Sequence, residues 1–144
     1  MGLSGDQVAS IKSACDAVRG NIGQHSQDFF VFFLKKFPAQ QDKFPNYKGK
    51  NIDTLAKDVP QFAGHVKAVV EDVLTFFCLA GDAGAFSAKG KQVIADHVSR
   101  GNITHGDYAQ LFEALCEFLS QKLGGAYNAG AWNAAKGEAL AALK

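Results

Sequence analysis

Apolar residues recur along this chain at intervals of three and four, the spacing of a helix buried on one face. Val8, Ile11, Cys15 and Val18 form the first stripe, and Gly20 interrupts it. Ser4 and Gln7 stand at the two ends of a capping box that would start this helix. Phe29, Phe30, Phe33, Leu34 and Phe37 form a second stripe, which Pro38 either ends or follows with a short new turn. From Phe44 to Leu55 the pattern is irregular. Pro60 then suits the first turn of a long helix with Asp58 as its cap, and Phe62, Val66, Val69, Val70, Val73, Leu74 and Phe77 share its apolar face. A loop is expected around Gly81 to Gly90, then a shorter helical face of Phe86, Gly90, Val93, Ile94 and His97 that ends near Arg100-Gly101. Thr104 and Asp107 can cap the next helix, whose face is Tyr108, Leu111, Phe112, Leu115, Phe118, Leu119 and Leu123 before Gly124-Gly125. Trp132, Ala135, Ala139, Leu140 and Leu143 mark a last helix. No segment alternates like a strand and no Asn-Gly or Asp-Gly hairpin turn exists, so the pattern predicts an all-α chain. The segments are too uneven for a regular four-helix bundle.

Composition narrows the class. A chain of 144 residues suits one domain, here residues 1–144, with a sizeable core. A formal net charge of +1 offers no basic stripe, so a nucleic-acid partner is not expected. No stretch is long and uncharged enough to span a membrane, and the N-terminus lacks a signal-peptide pattern. Three cysteines, Cys15, Cys78 and Cys116, are far apart in sequence and odd in number. They read as reduced core thiols of an intracellular protein.

Candidate chemistry rests on histidine. His65 and His97 fall on the apolar faces of two different helices. Each could be a core residue with a satisfied ring, yet neither helix offers an obvious buried acidic partner, and an unpaired buried imidazole is costly. The close Cys and His pairs of structural zinc are missing, as are a Gly-x-Ser-x-Gly elbow and a Gly-rich loop after a strand. Two facing imidazoles in an aromatic pocket can instead flank a flat iron macrocycle. His25 and His105 read as boundary or surface residues.

Those residues resemble the globin family over essentially the whole chain. Phe37-Pro38, Phe44 six residues after Pro38, Tyr47, His65 at 21 residues after Phe44, Val69, His97 and Trp132 come in that family's order. The stretches Phe-Leu-Lys-Lys-Phe-Pro, Asp-Lys-Phe and Ile-Thr-His-Gly-Asp-Tyr are more similar to annelid and midge-larva haemoglobins than to vertebrate ones. The resemblance implies about eight helices around haem b (iron protoporphyrin IX), with dioxygen and other small diatomic molecules as ligands. His97 would be the proximal iron ligand through one ring nitrogen, its other nitrogen donating to a nearby carbonyl. Phe44 would stack on the macrocycle and Tyr47 would contact it. His65 would donate a hydrogen bond to dioxygen, with Val69 and Phe30 limiting the ligand's space. Val93, Ile103 and Leu111 would contact the cofactor, the last two from the proximal side; Phe30, Ile103 and Leu111 could instead simply fill the core. Ala68 stands where many globins carry a basic residue for a haem propionate; Lys67, Arg100 or His105 could substitute. Reversible oxygen binding for transport or storage is the leading function. The alternative is a globin-type dehaloperoxidase acting with hydrogen peroxide on small aromatic substrates, with His65 as acid–base catalyst. A third reading has His65 itself ligating iron, and a fourth is a haem-free interaction module. Association into a homo-oligomer stays open.

Overall fold

The computed structural model describes residues 3–98 and 103–143. Among them every regular element is helical. The α-helices are α1 (Gly5–Arg19), α2 (Ile22–Lys36), α3 (Leu55–Asp58), α4 (Phe62–Cys78), α5 (Ala83–Val98), α6 (His105–Leu123) and α7 (Ala129–Ala142). Tighter 3-10 turns lie at Pro38–Lys43, Ile52–Thr54 and Gly124–Ala126. No helix among the described residues is long and apolar enough to cross a membrane.

Local chemistry accounts for the helix ends. The Ser4 hydroxyl accepts from the Gln7 backbone at 3.2 Å, and the Gln7 carboxamide accepts from the Ser4 backbone at 3.0 Å. Thr104 and Asp107 form the same reciprocal box at the start of α6. Each box satisfies two amides that a helix start leaves without partners. Pro38 both ends α2 and opens the following 3-10 turn. Gly124 stops α6 with φ at +52°, a backbone region open to glycine without a side-chain clash.

Two boundary expectations need correction. Asp58 closes α3, and its carboxylate accepts from Thr54 Oγ1 at 2.6 Å. The cap position of α4 is Gln61, which makes no side-chain cap bond. Gly81 to Gly90 is mostly helix rather than loop: Asp82 accepts from the Ala85 backbone at 3.0 Å, and α5 already runs from Ala83. The end of that helix face near Arg100-Gly101 lies outside the described residues.

The helices bury one aromatic-rich core. α2 packs across α4 and α6, while α7 lies against α1, α5 and α6. Phe29 meets Phe118 edge-on at 5.6 Å, Phe76 stacks on Phe86 at 4.6 Å, and Phe77 stacks on Trp132 at 5.1 Å. Such ring pairs stabilise beyond their burial by about 0.5–1.5 kcal/mol each. On α7, Ala131, Trp132, Ala135 and Ala139 are all inaccessible to solvent. Several apolar residues stay only half-buried despite lying on core faces: Phe44, Val69, Val73, Ile103 and Leu111. They share a cause, because all of them border an internal cavity.

Candidate functional site

The cavity opens between α4 on one side and α5 with the start of α6 on the other. Its outer part measures about 510 Å³ and its inner part about 470 Å³. His65, Val69, His97, Tyr108 and Leu111 border both parts. The volume lies in the range of small-molecule and cofactor sites, and the wall is mainly apolar with few polar groups. Among the described residues no three His, Cys, Asp or Glu side chains group to hold a bare metal ion.

α5 brings His97 to one wall. Its Nδ1–H donates to the Val93 carbonyl at 2.7 Å, one turn earlier in the helix. That bond puts the ring proton on Nδ1 and the lone pair on Nε2. The Tyr108 ring stands perpendicular to the imidazole, with centroids 5.7 Å apart. Val93 lines the inner part of the cavity, while Ile103 borders the outer part.

α4 brings His65 to the cavity, where it stands in an aromatic corner. Phe30 and Phe44 each have their ring centroids 5.9 Å from it. Phe30 is 1% exposed, so it serves both the core and the cavity wall. The Tyr47 hydroxyl lies 2.5 Å from His65 Nδ1. Burial pushes the Tyr47 phenol above its ordinary value, which keeps it protonated and able to donate. With the phenol as donor, Nδ1 accepts and the neutral ring carries its proton on Nε2.

The rim is polar. Asp107 accepts from Lys43 Nζ at 2.7 Å, from Gln40 Nε2 at 2.8 Å and from the Thr104 backbone at 2.8 Å. Burial alone would raise this carboxyl. The bonds from Lys43, Thr104 and Gln40 outweigh it and hold Asp107 below the usual carboxylate range.

Sequence-predicted residues Phe30, Phe44, Tyr47, His65, Val69, Val93, His97, Ile103 and Leu111 all border this one cavity. Arg100 lies outside the described residues. His105 is exposed, as a surface or boundary residue would be, and its Nε2 pairs with the Leu140 carbonyl at 2.7 Å, on α7. His25 pairs with the Val18 carbonyl at 3.0 Å, a structural role as expected. Sequence reasoning missed the Tyr47–His65 bond, the polar rim and the part of Tyr108 in the wall. Tyr108 was legible as a buried face residue, and nothing local marked it as a neighbour of His97.

Comparison with known proteins identifies the family. The Globin family model matches residues 27–143. The chain is 32% identical over 141 residues to a globin of Nerita albicilla, covering 98% of this chain and 88% of that one. It is 31% identical over 134 residues to globin CTT-V of Chironomus thummi piger, covering 90% and 78%. It is 29% identical over 153 aligned positions to a leghemoglobin of Psophocarpus tetragonolobus, covering 99% and 97%. The protein belongs to the globin family. That membership implies haem and small diatomic ligands, and the site fits haem. The cavity is apolar, and one of its two imidazoles has its Nδ1–H committed so that Nε2 carries the lone pair.

Proposed function

We propose that this protein is a single-domain haem globin, residues 1–144, that binds dioxygen reversibly for transport or storage. One observation carries the reading: His65 and His97 border the same apolar cavity, and each ring has its Nδ1 engaged by a different partner. Haem b held in the cavity supplies an iron that takes a diatomic ligand.

His97 Nε2 is the iron ligand in this reading. The Nδ1–H bond to Val93 fixes its tautomer and ring orientation and makes the nitrogen more basic. Phe44 would pack against the macrocycle, and Val93, Ile103, Tyr108 and Leu111, which line the cavity, would exclude water around it. On the distal wall, His65 presents its Nε2–H to the partial negative charge of the ligand. A charge-assisted hydrogen bond of this type contributes about 1.5–3 kcal/mol. Phe30 and Val69 narrow the space beside it and keep water out. An intracellular location fits three cysteines in the free thiol state.

The peroxidase alternative needs His65 free to move and to pass protons. The Tyr47 bond and the crowding by Phe30 and Phe44 support oxygen binding instead. The test is the visible spectrum of the reduced protein before and after oxygen is admitted. A five-coordinate ferrous spectrum that becomes a stable oxy spectrum is expected. A six-coordinate ferrous spectrum would assign His65 to the iron, and no haem absorption after added haemin would overturn the reading.

A further inference from the structure

Two cysteines that are 63 residues apart in sequence meet across the α1–α4 interface. Neither borders the haem cavity. Cys15 is fully buried in α1, and Cys78 is the half-buried last residue of α4. Cys15 Sγ lies 3.8 Å from the Leu74 carbonyl, one turn before Cys78, so Cys78 follows directly on the stretch of α4 that Cys15 touches. One turn along α1, Arg19 reaches over to the same helix. Its Nε donates to Glu71 Oε1 at 3.0 Å, and its Nη2 donates to Thr75 Oγ1 at 3.2 Å, one turn before Cys78. These contacts pin the register of α1 on α4 and set Cys15 beside the last turn of α4, which ends in Cys78.

The pair is chemically unequal. The bond from Cys15 and the charge of Arg19 push the Cys78 thiol down to about 7, against partial burial and the nearby Asp16 carboxylate. Cys15 is pushed up by its bond to Cys78 and by burial. One sulfur is therefore exposed enough to react and readily becomes a thiolate, while the other is protonated and sealed. That is the division of labour between an attacking and a resolving thiol.

We propose that Cys15 and Cys78 form a reversible dithiol–disulfide site that takes low-molecular-weight disulfides as oxidant. The Cys78 thiolate attacks one sulfur of the oxidant. The oxidant's S–S bond breaks and one small thiolate leaves, so that Cys78 is held in a mixed disulfide. Cys15 then attacks the Cys78 sulfur, and its proton passes to the second small thiolate as that group leaves, which closes the Cys15–Cys78 bond. The protein dithiol gives up two electrons in total, and the oxidant is reduced to two thiols. The new bond ties α1 to the end of the helix that carries His65.

The experiment equilibrates the purified full chain with graded mixtures of oxidised and reduced glutathione, quenches with acid, alkylates the remaining thiols and reads the mass. The expected product has lost two hydrogens, links the tryptic peptides 13–19 and 68–89, and leaves Cys116 alkylated. Its melting temperature lies above that of the reduced chain. In Cys15→Ser, or Cys15→Ala if the serine variant folds poorly, a Cys78–glutathione adduct accumulates unresolved. In Cys78→Ser, Cys15 stays a thiol. Wild-type thiols untouched at every ratio, a stable glutathione adduct on wild-type Cys78, or a link through Cys116 would each overturn the proposal. None of these readouts depends on bound haem, so the proposal and the oxygen-binding reading fail separately.

Discussion

The Tyr47 hydroxyl sits 2.5 Å from Nδ1 of His65, joining the turn after Phe44 to the first part of α4. Tyr47 itself is only 2% exposed, so the bond is shielded from competing water. The contact restrains the imidazole from swinging toward solvent, and as donor Tyr47 also fixes the tautomer that presents Nε2–H to the cavity.

Removing that hydroxyl should loosen His65 without emptying the site. Tyr47→Phe keeps the ring against Phe30, Phe44 and Phe62. One hydrogen bond contributes about 0.5–1.5 kcal/mol, so oxygen dissociation in stopped-flow should speed up roughly two- to tenfold. His65→Leu should speed it by roughly ten- to a hundredfold or more. If Tyr47 acts through His65, Tyr47→Phe added to His65→Leu should change the rate little further. Additive effects would show that Tyr47 acts on the ligand independently.

His97→Ala should abolish tight haem binding while leaving the helical content intact. The ring is half-exposed to the cavity and adds little to the packed core. Far-ultraviolet circular dichroism beside the Soret absorbance separates the two effects. Normal haem retention would overturn the ligand assignment.

How far the sequence was legible follows the range of each interaction. The Ser4–Gln7 and Thr104–Asp107 boxes join residues three apart, and the His97–Val93 bond joins residues four apart. Helical periodicity alone brings such pairs together, so caps and faces were legible in the spacing, while the carbonyl bond of His97 was implied by the globin resemblance. Tyr47 and His65 meet only because the 3-10 turn and α3 fold the chain back. Cys15 and Cys78 meet only because α1 lies on α4. Gly81 and Gly84 interrupt the apolar period and so resemble a loop, although α5 already begins at Ala83. In the fold Gly90 is a helical residue kept small by a neighbouring helix.

Asp107 makes the rim sensitive to acid. Its folded value lies below the ordinary 3.8 of the unfolded chain, so folding favours the ionised form. The resulting stabilisation is complete above about pH 4 and is lost as pH falls through the folded value. Asp107→Asn removes the charge that Lys43 and Gln40 hold between the Pro38–Lys43 turn and α6. The variant should melt lower than wild type at pH 7, and the gap should narrow below about pH 4. Melting curves across pH check this, and a gap that does not depend on pH would remove the electrostatic account.

Two glycines in helices should respond to alanine with opposite signs. A Cβ at Gly90 would stand 2.7 Å from the Ala142 carbonyl oxygen and 3.0 Å from its Cβ. The neighbour there is largely backbone of α7, which cannot rotate aside, so α5 and α7 must separate. Overpacking of this kind costs about 1–3 kcal/mol, more than the 0.8–1 kcal/mol or so of helix propensity that alanine gains over glycine. Gly90→Ala should therefore lower the melting temperature by a few degrees. It should also speed haem loss to an acceptor protein, because α5 carries His97. At Gly137, inside α7, an added Cβ meets nothing within 4 Å. Only the propensity gain remains there, so Gly137→Ala should raise the melting temperature. If both variants shift the same way, the close approach of α5 to α7 at Gly90 does not control stability.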